Sequence, residues 1–112
     1  MDSILTSTKG FLGITEDYTH FDPQIIMHIN SVFFMLNQLG VGPDEPYRIE
    51  DKSDEWSDFT SATDVEAIRS FVYLRVRLLF DPPTNAALLS AMKEEIREIE
   101  WRLNVQVDPG RE

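Results

Sequence analysis

The 112-residue chain contains no cysteine, which excludes disulfide staples and thiolate metal sites and fits folding in a reducing cytoplasm. Histidine is nearly as scarce: His20 and His28 are the only two, so imidazole acid–base or metal chemistry has few carriers. Positive charge is short as well. Ten Lys and Arg stand against twenty Asp and Glu, a formal charge of −10, and a field of that sign repels nucleic acid and anionic membrane surfaces. No apolar run approaches the roughly 18 residues that span a bilayer. The opening Met1-Asp2-Ser3 is acidic rather than basic, so no export signal is expected. There is no glycine-rich phosphate loop, no nucleophile motif and no dinucleotide fingerprint. A non-enzyme without cofactor or metal is the expectation.

Against these absences stand a 42% apolar content, seven Phe, two Trp and three Tyr. That is enough to offset ordering entropy in a packed globule, and the length suits one domain. Ile4, Leu5, Phe11 and Leu12 recur near a period of 3.6, with Asp2 as N-cap and Gly13 past the end; they predict a helix over about 2–12. Asp22-Pro23 then predicts a cap and first turn. Ile25, Ile26, Ile29, Val32, Phe33, Leu36 and Leu39 give the stripe of a second helix over 23–39, closed by Gly40.

Residues 41–62 change character, with Gly42, Pro43 and Pro46 and only the isolated apolar residues Tyr47, Ile49, Trp56 and Phe59. They read as a long loop, in which Tyr47 to Ile49 is either brief extended chain or irregular. A capping box at Thr63 and Glu66 opens a helix over 64–80 that is apolar nearly all round, from Val65 to Phe80, and is therefore the central one. Asp81-Pro82-Pro83 must end it. Leu88, Met92, Ile96, Ile99 and Leu103 mark a narrow-striped fourth helix over 85–103. The chain is thus expected to be all-α: a small four-helix bundle-like domain over 1–104, a long acidic loop between helices 2 and 3, and an extended tail over 105–112 beginning Val105-Gln106-Val107.

Each candidate for chemistry has a bland counterpart. His28 has Ser31 and Val32 at its i+3 and i+4 positions, so it lacks a carboxylate partner on its helix and reads as structural. Glu94, Glu95, Glu98 and Glu100 have no histidine on their helix; a solvated, salt-bridged face suits them better than a carboxylate metal site. Residues 44–66 hold nine acids against Arg48 and Lys52. They make either a solubilising loop or a surface that pairs with a basic neighbour or lets DNA slide past. Asp44, Glu45, Glu50, Asp51, Asp54, Glu55, Trp56 and Asp58 are the candidate contact residues there. Trp56 and Trp101 are core residues or interface anchors. Arg69, Arg75 and Arg77 lie on an otherwise apolar helix, where partners across a subunit boundary would account for them.

Three blocks carry a resemblance: DPQIIMHINSVFFMLNQLGVGP from Asp22 to Pro43, FVYLRVRLLFDPPTNAALLSAM from Phe71 to Met92, and EIEWRLN from Glu98 to Asn104. In order and spacing, over about Gly10 to Asn104, they resemble the head-to-tail connector, head-completion or adaptor proteins of tailed phages and prophages. The resemblance implies a mostly helical homo-oligomer, typically a twelvefold ring, beneath the portal protein at the capsid vertex. It also implies a tail, stopper or tail-completion protein as second partner, DNA passing through without specific binding, and no membrane. Location would be the head–tail neck of the virion, with the host cytoplasm before assembly. The loop Asp44 to Phe59 would face the channel or a neighbour, and the segment from Trp101, including Arg102, Val105, Val107 and Arg111, would meet the portal or another subunit. A soluble acidic helical module that sequesters a basic partner or mimics DNA is the alternative.

Overall fold

The computed structural model describes residues 3–43, 45, 47–60 and 65–107. Among them are five helices and no strand: α1 (Ile4–Leu12), α2 (Asp22–Gln38), α3 (Trp56–Phe59), α4 (Val65–Phe80) and α5 (Ala86–Val107). The protein is all-helical, as its periodicities predict, and the fifth element is a single turn inside what reads as loop. The capping box at Thr63 and Glu66 lies in part outside the described residues.

Helix α4 occupies the centre. It packs against α1, α2 and α5, and only Glu66, Ser70 and Leu79 along it are exposed, so an all-round apolar sequence meets an all-round protein environment. Ile25, Ile29, Val32, Phe33 and Leu36 of α2 face it on one side, and Met92, Ile96, Ile99 and Leu103 of α5 on the other. Leu88, expected on the α5 stripe, is exposed, because it lies in the first turn, ahead of the first buried position, Met92.

The termini depart from expectation in instructive ways. Ser3, not Asp2, caps α1, its hydroxyl accepting the Thr6 N–H at 3.2 Å. Asn85 caps α5, accepting from Leu88 N–H at 2.9 Å. Asp22 does not cap α2, which begins after Phe21 without a side-chain cap. Its carboxylate instead lies 2.8 Å from Nζ of Lys9, which is 2% exposed and also donates to Glu16 O at 2.9 Å. An ammonium taken out of water needs a counter-charge and acceptors, and that demand outranks a cap worth about 1 kcal/mol. The extended tail does not begin at Val105, since α5 continues to Val107; with Asn104 and Val105 exposed, helical hydrogen bonding sets the backbone conformation there.

Gly40, at φ 83°, turns the chain out of α2, and Val41 N–H returns to Leu36 O at 2.9 Å. From there the segment folds back on the helix it has left. Gly42 sits at φ 92°, where a Cβ would come within 2.6 Å of the Phe59 ring. Phe33 gathers Phe59 (stacked, 4.7 Å), Tyr47 (5.3 Å) and Trp56 (6.2 Å). Asn30, buried on α2, donates from Nδ2 to Ile49 O at 3.2 Å and accepts Ile49 N–H at 2.8 Å. The indole N–H of Trp56 reaches Ser7 Oγ at 2.9 Å, and Ile4 N–H reaches Asp54 O at 2.9 Å. The described residues from 47 to 59, with Val41 and Gly42, are therefore a folded cover over α1 and α2.

Two expected outcomes follow. Asn30→Ala leaves both backbone groups of buried Ile49 unpaired, at about 1–3 kcal/mol per group before relaxation; a loss of about 2–4 kcal/mol in urea unfolding is expected, with the Ile49 amide losing its exchange protection. Burial, and then the charges of Asp54 and Asp58, push the Tyr47 hydroxyl up from 10.0 to about 12. With the folded-state value raised, stability does not depend on this group below pH 10 and falls as pH climbs toward 12, where the unfolded chain ionises first. Tyr47→Phe should remove the latest-ionising tyrosine from an ultraviolet titration, and because the enclosed hydroxyl has no hydrogen-bond partner among the described residues, stability at pH 7 should stay level or rise by about 1 kcal/mol.

Candidate functional site

The residues most suited to acid–base chemistry make no site. His20 lies against Phe21 at 4.9 Å and His28 near Phe80 at 6.4 Å, and neither makes a hydrogen bond or ion pair among the described residues. No group of three metal-capable side chains converges among those residues. What the fold offers is surface.

The acids of the 41–59 segment divide into two kinds. Asp54 turns its carboxylate inward to accept Glu50 N–H at 2.7 Å and Asp51 N–H at 3.3 Å. Asp51 accepts Ser53 N–H at 2.8 Å and its hydroxyl, which hold the carboxyl below its usual range. Asp58 accepts Glu55 N–H at 2.9 Å at the start of α3. These are turn-forming acids that satisfy backbone donors where no ladder is available. Glu45 and Glu50 are exposed and their carboxylates accept nothing among the described residues; Asp44 lies outside those residues. Trp56 is buried and belongs to the core.

Arg69, Arg75 and Arg77 all have contacts within the chain. Arg69 donates from Nε and Nη2 to Tyr73 Oη at 3.1 and 3.0 Å and lies 5.4 Å from the Trp56 ring centre. Arg77 Nε donates to Asp81 O at 2.8 Å, closing the end of α4. Arg75 lies over Phe71 at 5.4 Å and stands 3.9 Å from Glu100 on α5, with its Nε lacking an acceptor among the described residues.

Trp101 is 67% exposed, Val105 is also exposed, and Arg102 is bound to Glu98 at 3.0 Å. Val107 is the last described residue, and Arg111 lies beyond. At 100° per residue, Glu94, Glu98, Trp101 and Val105 share the side of α5 opposite Met92, Ile96, Ile99 and Leu103.

A second surface escaped the sequence reading. Met27 is 57% exposed and Phe34 51%; with Ser31 they occupy the side of α2 opposite its buried stripe. They line an open groove of about 750 Å³ with Ile26, Met35 and Arg48. Met27 and Phe34, seven residues apart and both outside the predicted stripe of α2, were a usable signal. A second open cleft of about 940 Å³ lies at the other flank of Pro23 and Ile26, lined by Leu5 and by the charged Lys9, Glu16, Asp22, Asp51 and Lys52.

A family model described as phage connector protein matches residues 4–110. No curated protein and no solved structure matches the chain.

The division among the acids has a measurable consequence. Asp54→Ala should cost about 1–2 kcal/mol by freeing two backbone donors, whereas Glu50→Lys should stay within about 0.5 kcal/mol of the parent. Denaturant unfolding separates the two, and equal effects would remove the distinction.

Proposed function

The chain belongs to the phage connector protein family, and from that premise we propose that copies of it close into a ring at the capsid portal vertex, joining head to tail and prolonging the DNA channel. A structural connector of the virion is the role the family carries. The observation that supports this reading most is the extent of the match: residues 4–110 take in all five helices of the described residues, so the likeness covers the folded body from end to end.

The mechanism is passive. Each subunit presents two outward faces, one on α2 and one on α5, with the central helix α4 between them. Repetition of one contact between unlike faces generates a ring when its rotation closes. The portal protein would receive one end of the ring, and a tail, stopper or tail-completion protein the other. Negative charge on the exposed acids gives DNA a surface it passes without adhering, since phosphate contacts need cations. Before assembly the subunit would reside in the host cytoplasm; no described helix is long and apolar enough to cross a membrane.

A sequestering module or DNA mimic needs a row of outward carboxylates. Asp51, Asp54 and Asp58 spend theirs on the backbone of their own segment, which favours the connector.

Size-exclusion chromatography with light scattering, on the protein alone and with its phage's portal protein, tests the proposal. A ring-sized species or a stoichiometric portal complex is expected, and a monomer indifferent to the portal would overturn it. Glu45→Lys with Glu50→Lys should preserve helical content while lowering the yield of infectious particles; an unchanged yield would count against a channel-facing position for these acids.

A further inference from the structure

The two outward apolar faces differ in shape and charge. The α2 face carries an open groove lined by Ile26, Met27, Phe34 and Met35 together with the polar Asn30, Ser31 and Gln38, with Arg48 as its one cation; Arg48 is exposed and pairs with no carboxylate among the described residues. The α5 face is convex. Trp101 and Val105 project from the side of a helix that turns its other side to α4, with Glu94 and Glu98 on the same stripe. These acids hold Arg97 and Arg102 only through exposed pairs, which contribute little and exchange readily. An aromatic knob beside two exchangeable acids on one helix, and a groove edged by Met27, Phe34 and an exposed arginine on the other, can meet through apolar contact and opposite charge.

Their placement decides what occupies the groove. Within one chain the two faces point away from each other, because α4 packs against the inner side of both helices. The knob therefore cannot fill its own groove, but it can fill that of the next copy. We infer that the α2 groove of each subunit receives the Trp101–Val105 face of α5 from its neighbour, with Arg48 meeting Glu94 or Glu98 across the boundary. This rests on the ring reading above and specifies the contact that builds it. The interface is heterologous, knob to groove, and each copy uses both halves once.

The absence of cysteine permits a direct test. Ser31, exposed in the groove, and Val105, exposed beside the knob, are changed to cysteine in one chain, and the protein is treated with a short bismaleimide alone and in the presence of portal protein. A ladder beyond the dimer on a denaturing gel is expected. Equimolar Ser31→Cys and Val105→Cys single variants, mixed, should stop at the dimer, and neither alone should cross-link to itself. Multimers by light scattering without such cross-links, or self-linking of a single variant, would overturn this contact and leave the ring standing. A protein monomeric both alone and with portal would overturn both. Since Phe34 and Trp101 are mostly exposed, Phe34→Asp and Trp101→Asp should keep helical content and each weaken assembly at least tenfold. Mixed, they retain one intact knob and one intact groove, and should form a dimer and nothing larger; equal assembly to the parent would overturn the proposal.

Discussion

Asn30 on α2 is the one polar side chain whose two hydrogen bonds to Ile49 treat a stretch of irregular chain as though it lay beside another strand. A buried amide N–H and C=O must be paired, and Ile49 has no strand neighbour among the described residues to do it. The carboxamide, with an NH2 donor group and a carbonyl acceptor in one plane, supplies both. Once Ile49 is held, Tyr47 and Phe59 fall within reach of Phe33, and Trp56 reaches Ser7 on α1. The loop then covers the flank that α1 and α2 would otherwise leave open. Helix α2 therefore has three distinct sides: one to α4, one to this cover, and one to the outside.

The helices were legible because period and punctuation agree. Ile25 to Leu36 with Gly40, and Val65 to Phe80 before Asp81-Pro82-Pro83, needed no tertiary information. What was hidden depended on residues far apart in sequence. Lys9 reads as a surface residue in its own helix, and only the fold places it against Asp22 and Glu16 O; the same contact removes Asp22 from the capping role its position before Pro23 suggests. The acids of 44–58 look alike in composition, yet backbone geometry assigns Asp51, Asp54 and Asp58 to turns and leaves Glu45 and Glu50 to the surface. Val105-Gln106-Val107 alternates like a strand, but three residues at the end of a long helix gain more by continuing its hydrogen bonds. Of the candidate contacts, Trp101 and Val105 are exposed as an interface requires, Trp56 is not, and the α2 groove was missed because outward and inward apolar residues are intermixed along that helix.

Charge and apolar surface act at different ranges. Subunits of net charge −10 repel one another at distance, and at physiological salt that repulsion fades within about 8 Å. Contact has to be won by short-range terms: apolar burial and a few well-placed opposite charges. A chain of this kind resists random association, which suits the proposed contact between copies, where knob, groove and cation must be aligned.

Burial also settles where such a contact can be built. Helix α4 is enclosed by the other elements and retains only Glu66, Ser70 and Leu79 at the surface, so substitutions along it register first as loss of core packing. Its arginines are held within the chain, by Tyr73, over Phe71 and by Asp81 O at the end of their own helix. The outer sides of α2 and α5 carry no such duty, because each helix has given its opposite side to α4 and keeps its stability when the outer residues change. An assembly contact can vary there without disturbing the fold. Met27 and Phe34 outward on one of these helices, and Trp101 and Val105 outward on the other, with α4 packed against both, leave the contact proposed above to be made without cost to the core.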